Sequence, residues 1–291
     1  MPTTSTSGST KSRTLTYADG SSFADALREK GVQQTSRPLP APGQIRFVFE
    51  ALAEPSLYEN EDSLSHAMHT RNNAPNETSF YLVFEFLLTG WLCKLPSLRY
   101  VFNAQWKVQP LEGSPHAFQL AAPKPDITIG YDETFLTSGS RISRPVVDST
   151  PVICDHRLEY PCVTIEVKPN GAPLWFNQNL HNAAVMLRIL RSLWIKVYGS
   201  AFGFDSTVRT VTISVSRNLV EVLGHWSGVD DYGDVLYHHS PLSSWSLGTG
   251  EAEWQRARWG LKCYVEWVMK ENEQWIINAL KQWRCNSTQH Y

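Results

Sequence analysis

Two short apolar runs, each ending or opening on charged residues, constrain this chain more than anything else in it. The first reads Lys124-Pro125-Asp126-Ile127-Thr128-Ile129-Gly130 and the second Tyr160-Pro161-Cys162-Val163-Thr164-Ile165-Glu166-Val167-Lys168. β-Branched and apolar residues dominate both, which predicts strands. Side chains two apart in a strand point the same way, so Glu166 and Lys168 share one face and Val167 takes the other. Burying a charge is costly unless it is paired or meets a cation. If the two strands pair, Asp126, Glu166 and Lys168 converge at one sheet edge, and oxygen donors of that kind suit Mg²⁺ or Mn²⁺.

The flanking sequence places this pair in a larger layout. Pro169-Asn170-Gly171-Ala172-Pro173 is a turn. A helix follows from about Leu174 to Tyr198, with Leu180, Ala183, Ala184, Leu187, Leu190, Trp194 and Val197 as its apolar stripe. Gln178 and Asn182 lie four apart at the edge of that stripe, where they can face the carboxylates. Strand, turn and helix make a βα unit, which predicts a parallel or mixed sheet. Val208–Val215, Asn218–Trp226 and Asp234–His238 read as an antiparallel meander, with a Ser/Gly loop over 240–250. His238-His239 reads as a strand end. Glu251–Trp283 reads as one long amphipathic helix, unbroken or broken once, rich in tryptophan. Packing on the sheet, with Trp254 and Trp275 toward the core, is the default reading and a protein-partner surface the alternative. Upstream, Gln44–Leu52 is a strand or a helix. Pro75-Asn76-Glu77 opens a helix to about Leu92, with Asn76 as N-cap and Glu77 at the positive end of the dipole. Arg99–Gln109 alternates as a strand. The fold class is α/β in a mixed α+β arrangement, a central mixed sheet flanked by helices.

Pro125-Asp126, Glu166-Val167-Lys168 and the helix carrying Gln178 and Asn182 resemble the PD-(D/E)XK nuclease superfamily. The resemblance is greatest to the nuclease-like domains found in many fungal proteins. It spans roughly residues 44 to 240, and Asn76-Glu77 matches the Asn-Glu that often opens an upstream helix in such domains. The resemblance implies a restriction-endonuclease-like core that cleaves DNA or RNA with Mg²⁺ or Mn²⁺. On that implication Asp126, Glu166 and the Val167 carbonyl hold the metal. Lys168 acts on the attacking water or on charge at phosphorus, Gln178 positions phosphate or water, and Glu77 completes the outer shell. Lys107, Lys124 and Arg188 are candidate phosphate contacts. The alternative is a catalytically inactive module on the same fold that binds protein or nucleic acid.

Composition narrows the rest. Of 291 residues 42% are hydrophobic and 12% aromatic, ample for a core, and the net charge of −2 puts any nucleic-acid contact on a local patch. Residues 1–43, rich in Ser, Thr, Gly and Pro, read as disordered apart from one short helix near Ser22–Lys30, and residues 44–291 as the folded domain. The five cysteines are odd in number and widely spaced, with no CxxC, which predicts reduced thiols in an intracellular protein, cytoplasmic or nuclear. The longest apolar run, Phe80–Cys93, is too short to span a bilayer. His66 with His69, and Cys154 with His156 and Cys162, lack the further ligands a metal site needs at fixed spacing. No Gly-x-Ser-x-Gly elbow supports a serine hydrolase.

Overall fold

The computed structural model describes residues 14–53, 67–69, 73, 83, 87–88, 90–92, 94–107, 111, 119–137, 158–168, 174–248 and 250–288. Its strands are β1 (Thr14–Leu15), β2 (Leu98–Phe102), β3 (Gln119–Leu120), β4 (Ile127–Asp132), β5 (Leu158–Val167), β6 (Thr210–Val215), β7 (Leu219–Val229) and β8 (Val235–Ser246). The helices are α1 (Ser21–Glu29), α2 (Arg46–Ala53), α3 (Gly90–Leu92), α4 (Glu133–Thr137), α5 (Leu174–Tyr198) and α6 (Glu251–Thr288). Six strands form one mixed sheet in the order β2-β4-β5-β6-β7-β8. Among the described strands of this sheet only β5 and β6 pair parallel, and α5 is the crossover between them. The fold is therefore the expected mixed α+β class.

β5 is buried along almost its whole length because it is an interior strand covered on both faces. The two faces differ in chemistry. Thr164, Glu166, Thr212 and Ser214 line one face, under α5, with Asn179 bonded to Ser214 and Asn182 to Glu166. The alternate residues Val163, Ile165, Val167, Val211, Ile213 and Val215 make an apolar face. Val167, Val215, Val220 and Trp245 share one register row on that face. There α6 closes over them, and the Trp245 ring meets Gly260 so closely that a Cβ added at 260 would lie 2.1 Å from it.

Pro161 sits inside this central strand, where a missing N–H would break a ladder. The pairing of β4 with β5 shifts between Ile129 and Tyr131, and Tyr160 takes φ +46°. Pro161 therefore occupies a bulge. Gly130 opposite it is obligatory: a Cβ there would lie 2.7 Å from the Glu159 carbonyl oxygen and 2.6 Å from Leu158.

Several expectations need correction. The expected disorder of residues 1–43 does not hold from residue 14 onward. Leu15, Phe23, Ala26, Leu27 and Val32 are core residues, and α1 falls where the one short helix was expected. Polar composition concealed this, because only the three buried residues of α1, Phe23, Ala26 and Leu27, fall at i, i+3 and i+4. The segment also covers a sheet edge, since Val32 bridges Tyr237 and the Gln33 amide bonds the Tyr237 carbonyl. β8 runs on through Ser246, so the expected loop over 240–250 is strand for most of its length, and His238-His239 lie mid-strand. β2 stops at Phe102, short of Gln109, because Asn103 turns to φ 50°. Of the two readings for Gln44–Leu52, strand or helix, the helix is the one found. By contrast, Trp254 and Trp275 of α6 are in the core as the sheet-packing reading of this helix expects, Trp267 joins them, and Trp259 donates its Nε1–H to the Ala51 carbonyl. Asn76, Glu77, His66, Cys154 and His156 lie outside the described residues.

Candidate active site

The carboxylate cluster forms where β4 begins and β5 ends. Ile127 pairs with Ile165, so Asp126 and Glu166, one step further, stand opposite each other on the same face. The following position would set Pro125 opposite Val167. Proline has no N–H to give the Val167 carbonyl. Asp126 takes over on the other side of the exchange, and the Val167 amide donates to its Oδ2 at 2.6 Å. The Lys168 amide bonds the Val215 carbonyl across β6, which leaves the Val167 carbonyl on the Asp126 side of the strand.

Lys168 closes the cluster. Its Nζ lies 3.2 Å from Asp126 Oδ2 and 3.9 Å from Glu166 Oε2. Glu166 is fully buried, Asp126 nearly so, and the Lys168 side chain keeps 21% exposure, so the cluster opens to solvent at the ammonium. Asn182 donates its side-chain amide to Glu166 Oε1 at 2.8 Å. Asp126, Glu166, Lys168, Val167 and Asn182 are thus brought together. The two acids sit at the ends of interior strands, not on an edge strand.

Gln178 is one turn from Asn182 on α5, and its Oε1 is buried with no hydrogen-bond partner among the described residues. Lys124 and Lys107 are exposed, the former two residues from Asp126. Arg188 instead lines a separate cavity of about 690 Å³ with Arg28, Lys30 and Tyr237. Glu77 lies outside the described residues, and among those described no group of three or more His, Cys, Asp or Glu could hold a metal. The donor set that fits a hard cation is Asp126, Glu166 and the Val167 carbonyl. These are all oxygens, and no described residue hydrogen-bonds Asp126 Oδ1.

Three groups near the cluster escaped the sequence reading. Tyr17 reaches in from the N-terminal segment, with its hydroxyl 3.4 Å from Asn182 Oδ1 and 3.4 Å from His181 Nδ1. Burial, then the charges of Glu166 and Asp126, raise its phenol well above the ordinary range, so it stays protonated. His181 is buried against it, and burial with the charges of Arg188 and Lys30 pushes its imidazole down to about 3. Glu221 shares the register row of Glu166 and Ser214, two strands over, and burial raises its carboxyl pKa. Tyr17 had no legible signal, being far away in sequence in a polar segment. The Glu221 strand was legible, but its register against β6 was not.

Fold and cluster together define an α+β protein with a buried Asp–Glu pair and a half-buried lysine on the polar face of a mixed sheet. Residues 67–282 match a family described as a domain of unknown function (DUF7924), and the chain belongs to that family. No curated protein matches it.

Proposed function

We propose that this protein is a Mg²⁺- or Mn²⁺-dependent nuclease of the PD-(D/E)XK kind, acting on phosphodiester bonds of DNA or RNA. The observation that carries the reading is the position of Lys168 Nζ, 3.2 Å from Asp126 and 3.9 Å from Glu166 at the solvent-facing end of the cluster. A bound divalent cation supplies Lewis-acid polarisation of the phosphate and a water of lowered pKa. Asp126, Glu166 and the Val167 carbonyl would hold it. Lys168, beside both carboxylates, would offer its ammonium to the charge that builds on phosphorus. Asn182 keeps Glu166 in place, and Gln178 Oε1 is a buried acceptor for a water or a substrate hydroxyl. Lys124 and Lys107 are phosphate contacts at the rim.

The burial of Trp254, Trp267 and Trp275 gives the α6 partner-surface reading no support. The test is cleavage of single- and double-stranded DNA and RNA by the full chain with Mg²⁺ or Mn²⁺, beside Lys168→Met. Cleavage that needs the cation and falls at least about a hundredfold in Lys168→Met supports the proposal. Folded protein that cleaves none of these substrates with either ion, or a fully active Lys168→Met, overturns it.

A further inference from the structure

We infer that Tyr17 is a positioning residue of this site, its hydroxyl setting the Asn182 side-chain amide so that the NH₂ group faces Glu166. The inference rests on the nuclease reading and extends it to a residue outside the family match over 67–282.

The argument begins from what an asparagine cannot decide alone. Its amide presents an acceptor on one side and two donors on the other, and a half-turn exchanges them. Facing a carboxylate, the wrong choice puts oxygen against oxygen. Asn182 is fully buried, so no water corrects the choice. Its Nδ2 meets Glu166 Oε1 at 2.8 Å, and its Oδ1 meets the Tyr17 hydroxyl at 3.4 Å. A hydroxyl that donates to Oδ1 holds the amide in the productive sense.

The surroundings keep Tyr17 a donor. The two carboxylates disfavour a phenolate beside them. On its other side Tyr17 meets His181 Nδ1 at 3.4 Å. The arrangement in which Tyr17 donates to Asn182 is His181 Nδ1–H to the Tyr17 oxygen, Tyr17 O–H to Asn182 Oδ1, and Asn182 Nδ2–H to Glu166 Oε1. Burial keeps the histidine neutral, and the arrangement uses its Nδ1–H tautomer. The ring of Tyr17 is itself fixed edge-on to Phe23 at 4.9 Å and to His181 at 6.0 Å. The N-terminal segment thus completes the site from outside the sheet.

The test is a double-mutant cycle on the full chain, read by Mn²⁺ affinity in calorimetry and by the cleavage rate. Tyr17→Phe keeps the ring and is expected to weaken Mn²⁺ binding about tenfold, in the range of lost outer-shell partners. Asn182→Ala is expected to weaken it at least as much. The double variant should be no weaker than Asn182→Ala, since Tyr17 acts through Asn182. Phe23→Leu disturbs the same packing without touching the hydroxyl, and should lower thermal stability while leaving Mn²⁺ affinity unchanged. Wild-type affinity in Tyr17→Phe, additive losses in the double variant, or an equal loss in Phe23→Leu would each overturn the inference and leave the nuclease reading standing. Wild-type protein that neither binds Mn²⁺ nor cleaves overturns both.

Discussion

Pro125 has a definite role at the level of single residues. It opens β4 without an N–H, so the strand end leaves the Val167 amide to Asp126 and gives the Val167 carbonyl no ladder donor at that position. Restoring the donor should therefore compete with a cation. Pro125→Ala is expected to fold and to weaken Mn²⁺ binding about tenfold, measured by calorimetry. An affinity equal to wild type would remove the Val167 carbonyl from the ligand set. The Asp126–Glu166–Lys168 meeting was legible because period two fixes faces and the apolar runs fix pairing. Asn182 was legible by its spacing from Gln178. Tyr17 and His181 were not. Their contact joins positions 164 apart, and no local pattern encodes that.

At the scale of elements, helix α5 was read with its bounds intact, because its apolar spacing runs unbroken between breakers. β8 was read too short, because Ser240-Pro241 and the serines beyond look like a loop. They pair with β7 nonetheless, across a register shift at Val222/Leu223 where Pro241 stands opposite Leu223. Close approach between elements gives a sharper prediction. At Gly130 an added Cβ would press on the Glu159 carbonyl at 2.7 Å, and backbone yields little. Gly130→Ala is expected to cost about 1–3 kcal/mol in urea unfolding. It should also lower activity, since the bulge sets the β4–β5 register that carries Asp126 to Glu166. A stability within a few tenths of wild type would mean the bulge can relax.

Across the whole molecule, the sheet has one apolar and one polar covered face, and the site is the outer end of the polar layer. Composition could not show this, because threonine, serine, histidine and asparagine read as surface until pairing buries them. The layer has a consequence for pH. His181 and His225 are fully buried, and burial holds both imidazoles below their usual pKa, with His239 near His225 shifted the same way. The unfolded chain binds protons at these positions below about pH 6.5 while the native state refuses them. Stability is then complete above that pH and is lost as pH falls toward 3, by up to about 1.4 kcal/mol per pH unit for each such histidine. Glu221 opposes this weakly, since its raised carboxyl favours the native state as pH falls. Urea midpoints should drop steadily from pH 7 to pH 4, and less steeply in His225→Gln. A flat profile would contradict neutral burial.

Calorimetric titration of the full chain with Mn²⁺, beside Asp126→Asn, reaches the central claim most directly. One saturable site in wild type that disappears in Asp126→Asn is the expected result. No saturable binding, or binding undiminished by Asp126→Asn, would contradict it.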